Sequence, residues 1–246
     1  MIHSEIPKLI GHRGLKAYAP ENTLASIRKA HEFGLQWIEV DVMQTKDGKF
    51  VLFHDNTLRR TTNGRGSLHK KTYAQLQTLD AGSWFAPEFA QERIPLLSEA
   101  LECIFNLGLR VNLELKPRRF KEKEFAQEFL EYLQQNWPPQ VPPPLISSFS
   151  LRTLKYLKKF NCPYPLAWLL SRWKKRWQRR ADEIECVSIN LEHMLATLER
   201  VAEIKNTHRQ VLVYTVNDPF VADKLFQMGV DAIFTDVGDK VLKKEL

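Results

Sequence analysis

Short apolar runs alternate with longer amphipathic stretches along almost the whole chain. The apolar runs predict nine strands, and the stretches between them predict eight helices. The strands are expected at 8–11, 36–42, 50–54, 110–116, 145–148, 165–169, 185–189, 210–215 and 232–235. The helices are expected near 22–34, 97–107, 121–136, 150–159, 172–183, 193–205, 218–228 and 238–245. This alternation is typical of an α/β protein in which helices cover a parallel sheet.

One pair of predicted strands is joined differently from the others. No helix fits between 36–42 and 50–54, and Asp47-Gly48 is a strong two-residue hairpin signal. The run 50–54 should therefore return antiparallel, which leaves eight parallel strands and predicts a (β/α)8 TIM barrel. Counting outward from the turn places Asp41 opposite His54.

The segment 55–96 contains no long periodic stretch. It is too long for an ordinary barrel loop, so we interpret it as a small insertion that caps the active site. At 246 residues the whole chain, 1–246, is then a single barrel domain with this insertion inside it.

Acidic residues occupy matching places on two predicted strands. Alternation puts Glu39 and Asp41 on the inward face of one strand, and Glu114 and Lys116 on the inward face of another. Buried carboxylates are costly without a cation between them. An oxygen-only set of this kind suits Mg²⁺ or Ca²⁺ better than zinc. Lys116 is either a fixed positive charge beside the metal or an ion-pair partner of Glu114.

Two histidines are expected at the same rim. His12 ends the first strand and is followed by Arg13, and His54 ends the return strand of the hairpin. A divalent ion with two cationic side chains would neutralise a phosphate, and the two imidazoles could act as acid and base. The set is typical of phosphodiester cleavage.

The sequence resembles the glycerophosphodiester phosphodiesterase family over nearly its whole length. The similar segments are GHRGLKAYAPENTLAS, IEVDVMQTKDGKFVLFHDNTLRRTTNGRG, LDAGSWF, IPLLSEAL, NLELK, SSFS, VYTVN and GVDAIFTD. Each segment alone is weak, but their order and spacing together are specific.

The resemblance implies a (β/α)8 barrel with an insertion after the hairpin, and it implies a role for several residues. These are metal binding by Glu39, Asp41 and Glu114, acid–base catalysis by His12 and His54, phosphate binding by Arg13 and Lys116, and an apolar wall beside the glycerol carbons at Phe149. Tyr214, in VYTVN, stands where a tryptophan is usual in the family and is expected on the same wall.

The implied reaction is metal-dependent hydrolysis of a small glycerophosphodiester to sn-glycerol 3-phosphate and an alcohol such as choline or ethanolamine. Either the glycerol 2-hydroxyl attacks first, giving a cyclic phosphate, or water attacks directly. One alternative is a lysophospholipase D in which Trp84, Phe85 and Phe89 line an acyl path, although these rings could equally pack the insertion against the barrel. The other is a barrel that binds phosphodiesters without catalysis. This alternative is disfavoured because every proposed metal, acid–base and phosphate position holds a competent residue type.

The net charge of +7 is concentrated in one segment. Residues 152–180 contain ten basic and no acidic residues, and the rest of the chain is slightly acidic. The segment is interpreted either as a solvated helix surface or as a weak attraction to an anionic membrane. Trp173, Trp177 and Ala181, spaced four apart, are expected to seat the second helix of the segment. No nucleic-acid recognition motif accompanies the charge, so nucleic acid is not expected as a partner.

The remaining signals concern location. Cys103, Cys162 and Cys186 are odd in number and widely spaced, which favours a reducing compartment. No signal-peptide pattern precedes the first strand, and no run reaches the length of a membrane span. The sequence therefore predicts a cytoplasmic protein and leaves its oligomeric state open.

Overall fold

The computed structural model describes residues 6–238, and its centre is a closed barrel of eight parallel strands. The strands are β1 (Leu9–Gly11), β2 (Trp37–Gln44), β3 (Phe50–Leu52), β4 (Arg110–Leu115), β5 (Leu145–Ser148), β6 (Leu166–Leu170), β7 (Ser188–Glu192), β8 (Gln210–Tyr214) and β9 (Ala232–Thr235). Strand β1 pairs in parallel with both β9 and β2, which closes the barrel. Strand β3 pairs antiparallel with β2 and stands outside the ring. The predicted TIM barrel is confirmed.

Helices follow the strands around the ring. They are α1 (Leu24–Glu32), α2 (Tyr73–Leu76), α3 (Leu97–Asn106), α4 (Glu122–Asn136), α5 (Leu151–Lys159), α6 (Trp177–Ile184), α7 (Leu198–Lys205) and α8 (Pro219–Gln227). The helix expected at 238–245 lies outside the described residues, apart from its first position. Within 6–238, no helix combines the length and the apolar character that crossing a membrane requires.

The hairpin register differs from the prediction by one residue. The loop has three residues between Thr45 and Lys49, whose backbones are hydrogen-bonded, and Gly48 supplies a positive φ of 78°. As a result Phe53, not His54, faces Asp41, and the Phe53 N–H donates to the Asp41 carbonyl at 3.0 Å. The predicted pairing of Asp41 with His54 is wrong. Because β3 ends at Leu52, His54 lies beyond the strand and still turns toward the barrel.

Helix α6 begins five residues later than predicted. Arg176 has a left-handed backbone, with φ of 61°, and the helix starts at the next residue. Trp173 therefore precedes the helix, although its ring packs on Trp177 at 5.8 Å between centroids. Trp177 and Ala181 are buried as expected. Glu185 ends the helix in another left-handed turn, so β7 starts at Ser188 instead of 185.

Three apolar clusters divide the interior. The largest lies between barrel and helices and contains the outward side chains of β2, Val40 and Val42. A second fills the barrel itself with residues such as Trp37 and Phe234. The third joins β2 and β3 to the segment 55–96. Because the barrel interior is filled with packed side chains, ligand space is left at the C-terminal ends of the strands.

Candidate active site

Three buried carboxylates meet inside the barrel. Strands β2 and β4 pair in parallel with Asp41 beside Glu114, and Glu39 lies two residues back on the same face of β2. Ligand oxygens of the three residues lie within 4.8 Å of one another. The predicted inward alternation of both strands therefore brings these three residues together.

One oxygen of each carboxylate in this cluster lacks a hydrogen-bond partner within residues 6–238. Within the described part of the chain, Glu39 Oε1 accepts no hydrogen bond. Asp41 Oδ1 and Glu114 Oε1 contact the Lys116 ammonium, at 3.3 and 2.7 Å, without a well-aligned hydrogen bond. Three converging carboxylates with free lone pairs match the oxygen coordination of a hard divalent cation, so the residues present fit such an ion.

Burial affects the three carboxyl groups differently. It raises the pKa of Glu39 well above its usual range, and the charges of Asp41 and Glu114 add to that. Burial also acts on Asp41, but the cations of Lys116 and Arg13 outweigh it and hold that pKa well below its usual range. Burial raises the pKa of Glu114 to about 6 against the opposing charge of Lys116. The anionic form of this cluster is costly without a cation.

Lys116 has both of the roles that the sequence left open, as an ion-pair partner of Glu114 and as a fixed positive charge in the site. Its ammonium pairs with Glu114 and with Asp41, and it lies 5.9 Å from the centre of the Phe149 ring. Burial would lower its pKa, but the two carboxylates reverse the effect and raise it. Lys116 is therefore a charged group at the floor of the site.

His12 is held by an aspartate that sequence reasoning missed. Its Nδ1 lies 2.7 Å from Asp236 Oδ1, and its Nε2 lies 4.0 Å from Glu39 Oε2. With the Nδ1 proton directed at Asp236, Nε2 is left free to face the site. Burial lowers the pKa of His12, while the bond to Asp236 opposes that shift. Asp236 directly follows the last strand, β9, but this position alone does not single it out in the sequence.

His54 has a matching anchor of its own. Its Nδ1 lies 2.6 Å from Asp55 Oδ1, and Arg60 Nε donates to Asp55 Oδ2 at 2.7 Å. Burial lowers the pKa of His54, and the nearby charge of Asp41 opposes it. Sequence reasoning did not identify Asp55 or Arg60, although Asp55 adjoins the histidine it holds.

Arg13 and the residues after it hold the carboxylates in place. The Arg13 guanidinium donates to Glu21 at 2.6 Å and lies 3.3 Å from Asp41, while its backbone N–H donates to Glu39 Oε2 at 2.9 Å. The Asn22 amide donates to Asp41 Oδ2 at 2.8 Å. Glu21 and Asn22 were also missed, although both lie in the segment YAPENT.

Two cavities open at this end of the barrel. The inner one, of about 120 Å³, is lined by His12, Arg13, His54, Phe149 and Tyr214 among others. The outer groove, of about 670 Å³, shares His54 and Phe149 with it. Phe149 and Tyr214 form an edge-to-face pair with ring centroids 5.7 Å apart. All nine site residues predicted from the sequence thus lie in or directly beneath these two connected spaces.

Comparison with known proteins gives consistent matches. The model of the glycerophosphoryl diester phosphodiesterase family matches residues 12–240. The structure of an Oleispira antarctica phosphodiesterase in complex with the product sn-glycerol-3-phosphate is 39% identical, covers 98% of this chain and 97% of its own, and superposes with a TM-score of 0.94. A glycerophosphodiester phosphodiesterase of Caldanaerobacter subterraneus is 32% identical over 229 residues, which is 93% of either protein. One of Bacillus altitudinis is 31% identical over 242 residues, covering 96% of this chain and 97% of its own.

Proposed function

This chain belongs to the glycerophosphoryl diester phosphodiesterase family, and on that premise we propose how its site hydrolyses a glycerophosphodiester to sn-glycerol 3-phosphate and an alcohol. The observation that carries the mechanism is the buried carboxylate cluster, which is flanked by two histidines that are each held by an aspartate. A non-catalytic binding barrel would have no use for two imidazoles anchored in this way.

Glu39, Asp41 and Glu114 would hold one divalent cation. When bound, the cation neutralises the phosphate and polarises its P–O bonds. We propose Mg²⁺ or Ca²⁺ because the donors are all carboxylate oxygens, which hard cations prefer. Arg13 and Lys116, on either side of the cluster, would stabilise the charge that develops on the equatorial phosphate oxygens.

The two histidines divide the proton transfers. Of these two spaces of the described structure, His12 lines the inner cavity alone, whereas His54 lines both the inner cavity and the outer groove. We assign His12 Nε2 as the base that takes a proton from the nucleophile, which is the glycerol 2-hydroxyl or water. We assign His54 Nε2 as the acid that protonates the departing alkoxide. If a cyclic phosphate forms first, the roles reverse when water opens it.

The two cavities suit the two halves of the substrate. In the small inner cavity, the glycerol carbons would lie against Phe149, and the buried Tyr214 hydroxyl, which has no hydrogen-bond partner within residues 6–238, would meet a glycerol hydroxyl. The outer groove, with polar residues such as Asn56 and Thr57, would take an alcohol such as choline or ethanolamine. Since 55–57 line this groove, we propose the segment 55–96 as its cap.

A lysophospholipase D activity has less support. Trp84, Phe85 and Phe89 form edge-to-face pairs with one another, at 5.8 and 5.5 Å between neighbouring centroids. None of them lines either cavity of the described structure. Their geometry favours packing of the insertion over an acyl path.

For the basic segment 152–180 we propose a division of roles. Its helical part is partly neutralised by acidic residues just beyond it, since Lys155 pairs with Glu183 and Lys158 with Glu185, both at 2.5 Å. Any attraction to an anionic membrane would then come from the loop before α6.

We also propose a cytoplasmic location, which is supported by the three cysteines because all of them are free thiols.

The test is hydrolysis with and without a chelator. The protein is incubated with glycerophosphocholine, glycerophosphoethanolamine and lysophosphatidylcholine. Glycerol 3-phosphate from the two glycerophosphodiesters is followed by a coupled enzyme. Choline release is followed for lysophosphatidylcholine, because its cleavage leaves the acyl chain on the phosphate product. We expect release from the two glycerophosphodiesters, loss of activity with chelator, and recovery on adding Mg²⁺ or Ca²⁺. Activity that chelation leaves unchanged would refute the metal site, and a preference for the lysolipid would reverse the substrate assignment.

A further inference from the structure

Within residues 6–238, six exposed large apolar side chains lie at one end of the barrel. Each follows the C-terminal end of a parallel strand, in a loop or in the first turn of the next helix. They are Phe120, Phe149, Met194, Leu198, Phe220 and Val221. The seventh exposed large apolar side chain of these residues, Trp84, belongs to the segment 55–96. The catalytic face is therefore selectively apolar.

Two loops of that same face are strongly basic. Three of the four residues 118–121, between β4 and α4, are Arg or Lys, and so are four of the five residues 172–176, between β6 and α6. All seven of these cations are exposed. Lys121 lies 3.5 Å from Glu124, but within residues 6–238 no carboxylate pairs with the four cations of 172–176. Both loops therefore present charge to the solvent.

These loops are neighbours in the barrel. Strands β4, β5 and β6 pair side by side, which puts the loop after β5, with the exposed Phe149, between the two basic loops. We call residues 118–121, 149–150 and 172–176 together the rim arc. Arg119 and Phe149 of the rim arc line the outer groove. The arc is thus continuous with the entrance to the active site.

The second basic loop, residues 172–176, is held in place by contacts of its tryptophan. Trp173 packs on Trp177, and the Arg200 guanidinium lies 5.1 Å from the centre of the Trp173 ring. The buried Trp177 indole donates in turn to Glu203 at 2.6 Å. The ring of Trp173 is therefore turned inward, which leaves its charged neighbours facing outward.

We propose that the rim arc docks this enzyme on an anionic lipid surface, with the outer groove opening toward the bilayer. Phe120 is 69% exposed between basic residues, a combination that allows its ring to enter the headgroup region while the cations meet lipid phosphates. A partner that is recognised by charge alone, such as nucleic acid, would not explain why exposed apolar side chains lie on the same face. The inference concerns where the enzyme sits and does not depend on the proposed reaction steps.

The test compares two variants of equal charge in the full-length protein. R172Q/K174Q/K175Q removes three cations from the rim arc, and K155Q/K158Q/K159Q removes three from the middle and end of α5. Each variant is sedimented with phosphatidylcholine vesicles, with or without phosphatidylglycerol, at low and at high salt. Each basic residue near an anionic surface strengthens binding about fivefold, so the rim variant should bind anionic vesicles about 100-fold more weakly. The α5 variant should bind like wild type, and high salt should weaken binding of both wild type and control.

A third variant tests the apolar part of the arc. F120S should weaken binding to anionic vesicles about tenfold while keeping its salt dependence, because only the apolar contact is lost. No binding of the wild type at low salt, or a larger loss in the α5 variant than in the rim variant, would overturn the proposal. Hydrolysis of soluble glycerophosphocholine should be unchanged in all three variants, and it reports the proposed function separately from docking.

Discussion

The two histidines of the site are built alike but placed differently. Each has its Nδ1 held by a carboxylate, at 2.7 Å for His12 and 2.6 Å for His54. The anchor of His12 comes from the far end of the chain and is itself partly buried, whereas the anchor of His54 is its sequence neighbour on the open groove. The His54 side chain is 31% exposed and that of His12 is 13% exposed. The difference supports our proposal that one imidazole works in the closed inner space and the other works where the alcohol leaves.

The largest effect should come from removing either imidazole. His12→Ala and His54→Ala should each lower turnover of glycerophosphocholine by about 10³-fold or more, because in the proposed mechanism each histidine moves a proton in the transition state. Release of glycerol 3-phosphate measures this, and circular dichroism with thermal melting checks that both variants fold. A variant that keeps near-normal turnover would remove that histidine from the mechanism.

Removing the anchors should separate the two histidines. Asp236→Asn should lower kcat about 10²-fold, while Asp55→Asn should lower it only about tenfold. Water can replace the lost partner at the partly exposed His54 but not at the more buried His12. Steady-state kinetics on both variants measure the ratio, with KM expected to change less than kcat. Equal losses would show that exposure does not distinguish the two sites.

A smaller effect is expected for Arg60, which contacts the anchor Asp55 and not the histidine itself. Arg60 joins Asp55 to Glu21, donating to both at 2.7 Å. Arg60→Gln should lower kcat a few-fold, about the effect of an outer partner that is itself partly exposed. Lys29→Gln, which removes an exposed ion pair with Glu32 elsewhere, is the matched control and should leave kcat unchanged. A loss as large as that of Asp55→Asn would mean that Arg60 touches the substrate.

The smallest expected effect is on stability, and it concerns Glu39, the carboxylate between the two histidines. Glu39→Gln keeps the shape of the side chain and the bond from the Arg13 N–H, but removes one of three crowded negative charges. In metal-free protein it should therefore stabilise the fold by about 1 kcal/mol, while the activity with metal falls. Chemical denaturation in chelator measures the first effect. A destabilised variant would mean that the Glu39 charge is already compensated without a cation.

Much of this site was predictable because it follows the alternation of two strands. Glu39, Asp41 and Glu114 face inward by period two, and a parallel barrel brings the inward faces of neighbouring strands together. His54 lies in the site even though the predicted hairpin register was wrong by one residue. Its position depends on where β3 ends, and not on the pairing that was used to predict it.

The anchors were not predictable in the same way. Asp236 meets His12 across 224 positions of sequence, and nothing local distinguishes it from other acidic residues that follow a strand. Glu21 and Arg60 are likewise joined only by the fold. The late start of α6 had a local cause, the left-handed backbone of Arg176, but arginine carries no signal for that conformation.

The division of labour between the histidines can be tested directly with an activated substrate. The p-nitrophenyl diester of glycerol 3-phosphate has a leaving group that departs without being protonated, so it bypasses the need for an acid. We predict that His54→Ala releases p-nitrophenol from this diester at close to the wild-type rate, whereas His12→Ala stays inactive on both substrates. Recovery by His12→Ala, or equal losses in the two variants, would contradict the assignment of His12 as base and His54 as acid.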